Sequence, residues 1–168
     1  MSDLTFKCKK CGTCCRGLFV EEFGMLQGLC LTEEEAKEFD PKFIVPYIAI
    51  GDKEPTTIVY YQLILADCPH LNEKNECEIY EKRPLICRVF PVHPDLNRTV
   101  ILPKCPQIEK YWSGAGKLCP VSIEDDELEG ALTKINIRSL MHRNECLDKG
   151  LRFWYFDLAT KSWRRSER

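Results

Sequence analysis

Cys8-Lys9-Lys10-Cys11-Gly12-Thr13-Cys14-Cys15 sets four thiols within eight residues. Thiolates bind soft and borderline metals, and C-x2-C pairs chelate because the intervening turn lets both sulfurs face one ion. Gly12 lies inside the run, where a tight metal-binding loop demands a positive φ. Cys15 is the awkward member, because adjacent residues rarely aim their side chains at one ion. Cys14 and Cys15 therefore serve different sites, or one of them is spare.

Seven further cysteines follow, at 30, 68, 77, 87, 105, 119 and 146. Cys8, Cys11 and Cys14 have the C-x2-C-x2-C spacing of the first three ligands in bacterial ferredoxin-type [4Fe–4S] loops, whose fourth cysteine precedes a proline. Cys-Pro pairs occur here at 68, 105 and 119. Cys8, Cys11, Cys14, Cys15, Cys68, Cys77, Cys87 and Cys105 make eight candidate metal ligands, enough for two four-sulfur sites or for one site with spare thiols. Zinc is the alternative metal. Structural zinc sites usually show two close ligand pairs, and the separation of Cys68, Cys77 and Cys87 departs from that pattern. Cys11-Gly12-Thr13-Cys14 also has redox C-x-x-C spacing, but no βαβ pattern surrounds it.

The chain has 168 residues, which suits one domain with its own core. A net charge of −2 gives no general field toward nucleic acid or anionic membrane. Charge is nevertheless uneven: residues 151–168 hold five Lys/Arg against two Asp/Glu, leaving −5 on the rest. Eleven cysteines suit either a disulfide-rich secreted protein or a reducing cytosol with metal-held thiolates. The first residues show no apolar signal region, and the longest apolar run, 58–66, is far too short for a bilayer and is broken by Gln62. The expectation is a cytoplasmic protein without membrane attachment.

The elements that must position these thiols are readable in part. Residues 17–31 are apolar without clean periodicity, and Cys30 there reads as a small buried hydrophobe. Thr32-Glu33-Glu34-Glu35 is a capping box opening a short helix to about Phe39, stopped before Pro41. Residues 43–50 and 56–65 read as a β-hairpin around a five-residue loop, delivering the chain to Cys68. Residues 72–76 are a polar turn. A helical turn is predicted over 79–82, and another after Pro84, taken as a first helical position. Residues 99–102 are a strand candidate, and a Gly-containing loop spans 113–117.

The clearest helix starts at an N-cap Ser122 and ends at Gly150, with acids Glu124–Glu127 early and Lys134, Arg138, Arg143 and Lys149 later, matching the helix dipole. Leu128, Ala131, Leu132 and Ile135 define one face, but Ile137, Leu140 and Met141 shift the stripe, which predicts burial on more than one side or a bend. Residues 151–156 alternate as a strand, and 160–163 pair back. The expected fold class is α+β: a small single domain, 1–168, with irregular cysteine-rich loops around a metal site, a β-hairpin, and one long C-terminal helix followed by a terminal strand pair.

The sequence resembles the CxxCxxCC cysteine-cluster family, described as zinc- or iron-chelating domains. The resemblance rests on Cys8-x2-Cys11-Gly12-x-Cys14-Cys15-Arg16-Gly17, Cys68-Pro69-x-Leu71, Cys77-x-Ile79-Tyr80-x-x-Arg83-Pro84-x-x-Cys87-Arg88-x-Phe90-Pro91 and Cys105-Pro106. It covers 8–106 as a metal-binding core and leaves 107–168 as a C-terminal helix and strands. His70 stands where the family often has an aromatic, and Gln107 where Gly is common. The resemblance implies a metal- or cluster-binding domain. Related domains occur in flagellin lysine N-methylases, but this chain shows no Gly-rich methyl-donor motif.

Arg16, Arg83 and Arg88 could stabilise an anionic thiolate cluster, or simply bond loop carbonyls. Tyr80, Phe90 and Pro91 read as packing that excludes water, and His93 as the best non-cysteine ligand candidate. The terminal aromatics and arginines could stack on nucleic acid, but an amphipathic strand pair is the simpler reading. The expected function is a cytoplasmic metal protein carrying a [4Fe–4S] cluster for electron transfer, redox sensing or partnership with a metalloenzyme. A zinc-held interaction domain is the alternative and a methyltransferase-related enzyme the third. A protein partner is expected, and nucleic acid is not. No catalytic constellation is evident.

Overall fold

The computed structural model describes residues 8–95, 98–101, 105–106 and 126–166. The fold is α+β, and the chain divides into two compact units interleaved in sequence. One comprises Met1–Arg16 and His70–Arg138, and the other Gly17–Pro69 and Ser139–Arg168.

The second unit is built on a five-stranded antiparallel sheet. Its strands are β3 (Leu29–Leu31), β4 (Ile44–Gly51), β5 (Thr57–Leu63), β8 (Arg152–Asp157) and β9 (Ser162–Arg165), in the order β3-β5-β4-β8-β9. The expected hairpin is β4–β5. Its loop is closed by the Thr56 N–H and hydroxyl, each donating to the Ile50 carbonyl at 3.0 Å. A side chain at Gly51 would run into the Glu54 carbonyl oxygen, so this corner must stay bare. The terminal pair β8–β9 also matches expectation.

Residues 20–31 differ from the aperiodic stretch expected. They form three short strands: β1 (Val20–Glu22) and β2 (Met25–Gln27) pair with each other, and β3 joins the sheet. Three residues are too few for a period of two to declare itself.

Gln62, which breaks the apolar run, is a fully buried fastener. Its amide donates to the carbonyls of Pro46 (3.0 Å) and Phe156 (3.1 Å) and accepts from the Gly28 N–H (2.8 Å). Asp157 is equally buried, accepting from Leu26 N, Ala159 N and Thr160 Oγ1 and pairing with Arg164 at 2.7 Å. Burial works to raise its carboxyl. The bonds from Thr160, Leu26 and Ala159, with the charge of Arg164, prevail and hold it below the ordinary carboxylate range.

The capping box is present: Glu35 N donates to Thr32 Oγ1 at 3.3 Å and Thr32 N to Glu35 Oε2 at 2.8 Å. The helix it opens, α1 (Glu33–Ala36), is shorter than expected. Lys37, Glu38 and Phe39 continue it only through bonds to residues three back. Phe39 is buried at its end.

The first unit carries a short 3-10 turn at Thr13–Cys15, another at Tyr80–Lys82, the helix α2 (Leu85–Val89), and the antiparallel pair β6 (Val92–Asp95) and β7 (Arg98–Ile101). β7 overlaps the strand candidate at 99–102, whereas β6 was not foreseen. Pro84 is the N-cap of α2, one position ahead of the first helical position expected for it, with an extended ψ of 149°.

The helix α3 (Asp126–Lys149) ends at Gly150, whose φ is +64°. It is not buried on a second side. Leu128, Ala131 and Cys146 are buried, and Leu132, Ile135, Ser139 and His142 are half-buried, so one stripe continues through small and amphipathic residues. Ile137, Leu140 and Met141 are exposed. The expected N-cap Ser122, the acids Glu124 and Asp125, Cys119, Gln107 and the 113–117 loop lie outside the described residues.

Candidate metal centre

The cysteine run is shaped by one close approach. Gly12 is buried at φ +72°, and a Cβ there would lie 2.8 Å from the Asn75 carbonyl oxygen and 2.9 Å from Leu71 Cδ1. Only glycine lets the loop settle on the 72–76 turn. That turn is self-closed: Asn72 Oδ1 accepts from Lys74 N and Glu76 N, both at 2.9 Å. Asn75 completes it at φ +63°. Arg16 Nη2 donates to Asn75 Oδ1 at 2.7 Å, and Leu71 bridges to Cys77. The loop is thus anchored to the turn that leads into Cys77.

After Gly12 the chain coils through Thr13–Cys15, with Cys15 N donating to Gly12 O at 3.0 Å. Cys11 is exposed, with its Sγ 3.3 Å from Thr13 Oγ1. Cys8, Cys14 and Cys15 are half-buried. The Cys14 and Cys15 sulfurs lie 3.9 Å apart. Two thiolates on one tetrahedral ion, each about 2.3 Å from the metal, are separated by about 3.8 Å. Sequence adjacency therefore does not by itself hold these two sulfurs apart.

Beyond Cys77, the arginines fix the backbone that carries Cys87. Arg83 Nε donates to the Tyr80 carbonyl at 2.8 Å, and its Nη2 to both oxygens of Glu127 at 3.0 and 3.1 Å. Arg88 donates to the carbonyls of Arg83 and Glu81, each at 2.8 Å. Of the two roles open to these arginines, loop-carbonyl bonding is the one observed. Cys87 N closes the first turn of α2 on Pro84 O at 2.9 Å. Pro91 is fully buried and Phe90 half-buried, as packing residues would be.

Of the eight candidate ligands, Cys8, Cys11, Cys14, Cys15, Cys77, Cys87 and Cys105 belong to the first unit, and Cys68 to the second. Cys105 is buried, whereas Cys68, Cys77 and Cys87 are half-buried. None of the described cysteines is disulfide-linked. Among the described residues, no three of His, Cys, Asp and Glu stand together in an arrangement that would hold an ion. The donor chemistry fits a thiophilic metal nonetheless, since the run offers four sulfurs on one short turn. Drawing thiolates closer requires a cation to offset their repulsion, and metal binding of this kind supplies folding energy itself. The His93 side chain lies outside the described part.

Two other thiols read as structural. Burial of its sulfur, assisted by Glu35, pushes the thiol of half-buried Cys30 up to about 12, so it stays protonated. Cys146 is buried and its thiol is also raised, first by burial and then by Glu145. Sequence reasoning missed the contributions of Asn75 and Glu127, which reach their partners only through the fold. Asn75, lying within a recognisable polar turn, was the one with a sequence signal.

The chain belongs to the CxxCxxCC family of zinc- or iron-chelating domains, which matches residues 7–111. That span agrees with the motifs at 8–106. No curated protein and no solved structure matches the chain.

Proposed function

We propose that this chain is an iron–sulfur protein. In this reading Cys8, Cys11 and Cys14 hold three corners of a [4Fe–4S] cluster, and a thiol from Cys77, Cys87 or Cys105 takes the fourth. The observation that carries it is the C-x2-C-x2-C run on a turn pinned by Gly12, with Cys77, Cys87 and Cys105 in the same compact unit. A cluster of that kind supplies one-electron transfer at a potential set by burial and by hydrogen bonds to its sulfurs. The chain's own residues hold the thiols: Arg16 ties the loop to Asn75, and Arg83 and Arg88 brace the backbone before Cys87.

The reading includes a cytoplasmic setting, where reducing conditions keep thiols available for metal, and a protein partner that exchanges electrons with the cluster. Among the described residues no helix is long and apolar enough to cross a membrane. The Phe156 and Trp163 rings pack edge-on at 5.3 Å, which favours the strand-pair role over stacking on nucleic acid.

A structural zinc site is the second reading, favoured by the 3.9 Å separation of the Cys14 and Cys15 sulfurs. Metal analysis of anaerobically purified protein decides. About four iron and four acid-labile sulfides per chain, with visible absorption that bleaches on reduction, is the expected result. Colourless protein with stoichiometric zinc would replace the first reading by the second.

A further inference from the structure

The outward side of α3 carries a pattern that its inward side does not require. With Gly130 as position a of a seven-residue repeat, every buried or half-buried residue of Asp126–Lys149 falls at b, c or f, from Leu128 and Ala131 to His142 and Cys146. Every a, d, e and g position is exposed. The a and d positions are Gly130, Thr133, Ile137, Leu140, Asn144 and Leu147. Ile137, Leu140 and Leu147 are 52%, 51% and 72% exposed. Nothing lies within 4 Å of where a Cβ on Gly130 would stand. Met141, at e, is 64% exposed and widens the apolar seam.

A β-branched residue at a, leucine at d and a single Asn at a favour two parallel helices in one register. In such a pair each g residue lies beside the following e residue of the other helix, and charges there set partner and orientation. Here Glu129 at g would meet Lys134 at e, and Arg143 at g would meet Asp148 at e, opposite in charge both times. The g and e residues between them, Asn136 and Met141, are uncharged. None of the four charged residues forms an ion pair among the described residues.

We propose that this face of α3 binds a second copy of the same chain, the two helices running parallel and in register as a short coiled coil. That arrangement matches Glu129 with Lys134, Arg143 with Asp148, and Asn144 with itself. The seam from Gly130 to Leu147 is about 26 Å long, at the small end for a protein interface, so the dimer is weak and depends on concentration.

The test is sedimentation equilibrium of the full chain, purified anaerobically, from low micromolar to near-millimolar concentration. A reversible monomer–dimer equilibrium is expected. A monomer throughout, as when another segment of the chain or a different protein covers the face, overturns the proposal. Leu140→Lys with Leu147→Lys is expected to abolish the dimer while leaving helix content by circular dichroism unchanged, because both side chains are exposed. A dimer that survives this pair of changes overturns the proposal. Lys134→Glu sets like charges together and is expected to weaken association about fivefold, counting the pair twice per dimer. Adding Glu129→Lys to it is expected to restore association, and a double variant that stays as weak as the single one overturns the parallel arrangement.

Discussion

In the sheet unit, Leu31, Ile50, Leu63, Gln62 and Asp157 are fully buried, and the two polar members have their bonds made within that unit. In the cysteine unit, the fully buried described side chains are Val89 and Pro91, and much of the architecture is carried by polar contacts: the Asn72 turn, the arginine-to-carbonyl bonds, and the Arg83–Glu127 pair. One unit rests on excluded water and satisfied sheet bonds. The other rests on loops whose charged fasteners are partly exposed and individually weak. What would make the second robust is a metal bond.

Four experiments can break or sharpen that contrast. Withdrawing metal with a strong chelator has the largest expected effect, since a structural thiolate site can supply roughly 10 kcal/mol. Hydrogen exchange should show residues 71–92 losing protection while β4 and β5 keep theirs; equal loss in both units would erase the distinction. Leu63→Ala comes next, at about 2–5 kcal/mol from a cavity at the buried end of β5, where Leu63 pairs with Leu29 and Ile44. It should lower the thermal midpoint and leave metal stoichiometry unchanged. Gly12→Ala forces a Cβ onto Asn75 at positive φ, costing about 1–2 kcal/mol before the clash is counted. Its expected signature is reduced metal affinity, with the sheet amides undisturbed.

The last experiment reads the acid limb of stability. Asp157's folded carboxyl is held below its unfolded value, so its contribution is complete above the ordinary carboxylate range and is lost as pH falls through the folded value. Acid titration of stability, followed by the circular dichroism of the sheet, should show this limb in wild type. The limb should flatten in Asp157→Asn.

The parts legible in the sequence were those with local causes. Thr32 and Glu35 cap each other three residues apart, Gly51 turns a hairpin, and Gly150 stops a helix. The short strands at 20–31 and β6 were not legible, because pairing partners and not their own pattern make them strands. Ser139 and His142 carry the buried stripe of α3 where larger apolar residues had suggested otherwise, and His142 does so edge-on to Tyr60 at 5.6 Å. In the site, residue type and spacing exposed the thiols. They could not expose the approach of Gly12 to Asn75, a contact across 63 positions that the 72–76 turn creates.

The interleaving of the two units has a consequence for how the chain is made. Cys15 leaves the ribosome 62 residues ahead of Cys77, a wait of roughly 3–12 s at about 5–20 residues/s. Throughout that interval the first thiols are in the cell without the turn that anchors them. The sheet fares no better, since Arg152 of β8 follows Gly51, its partner in β4, by 101 residues. Neither unit can close until these distant partners have been made, so early metal capture by the 8–15 run would have to be loose enough to be rearranged.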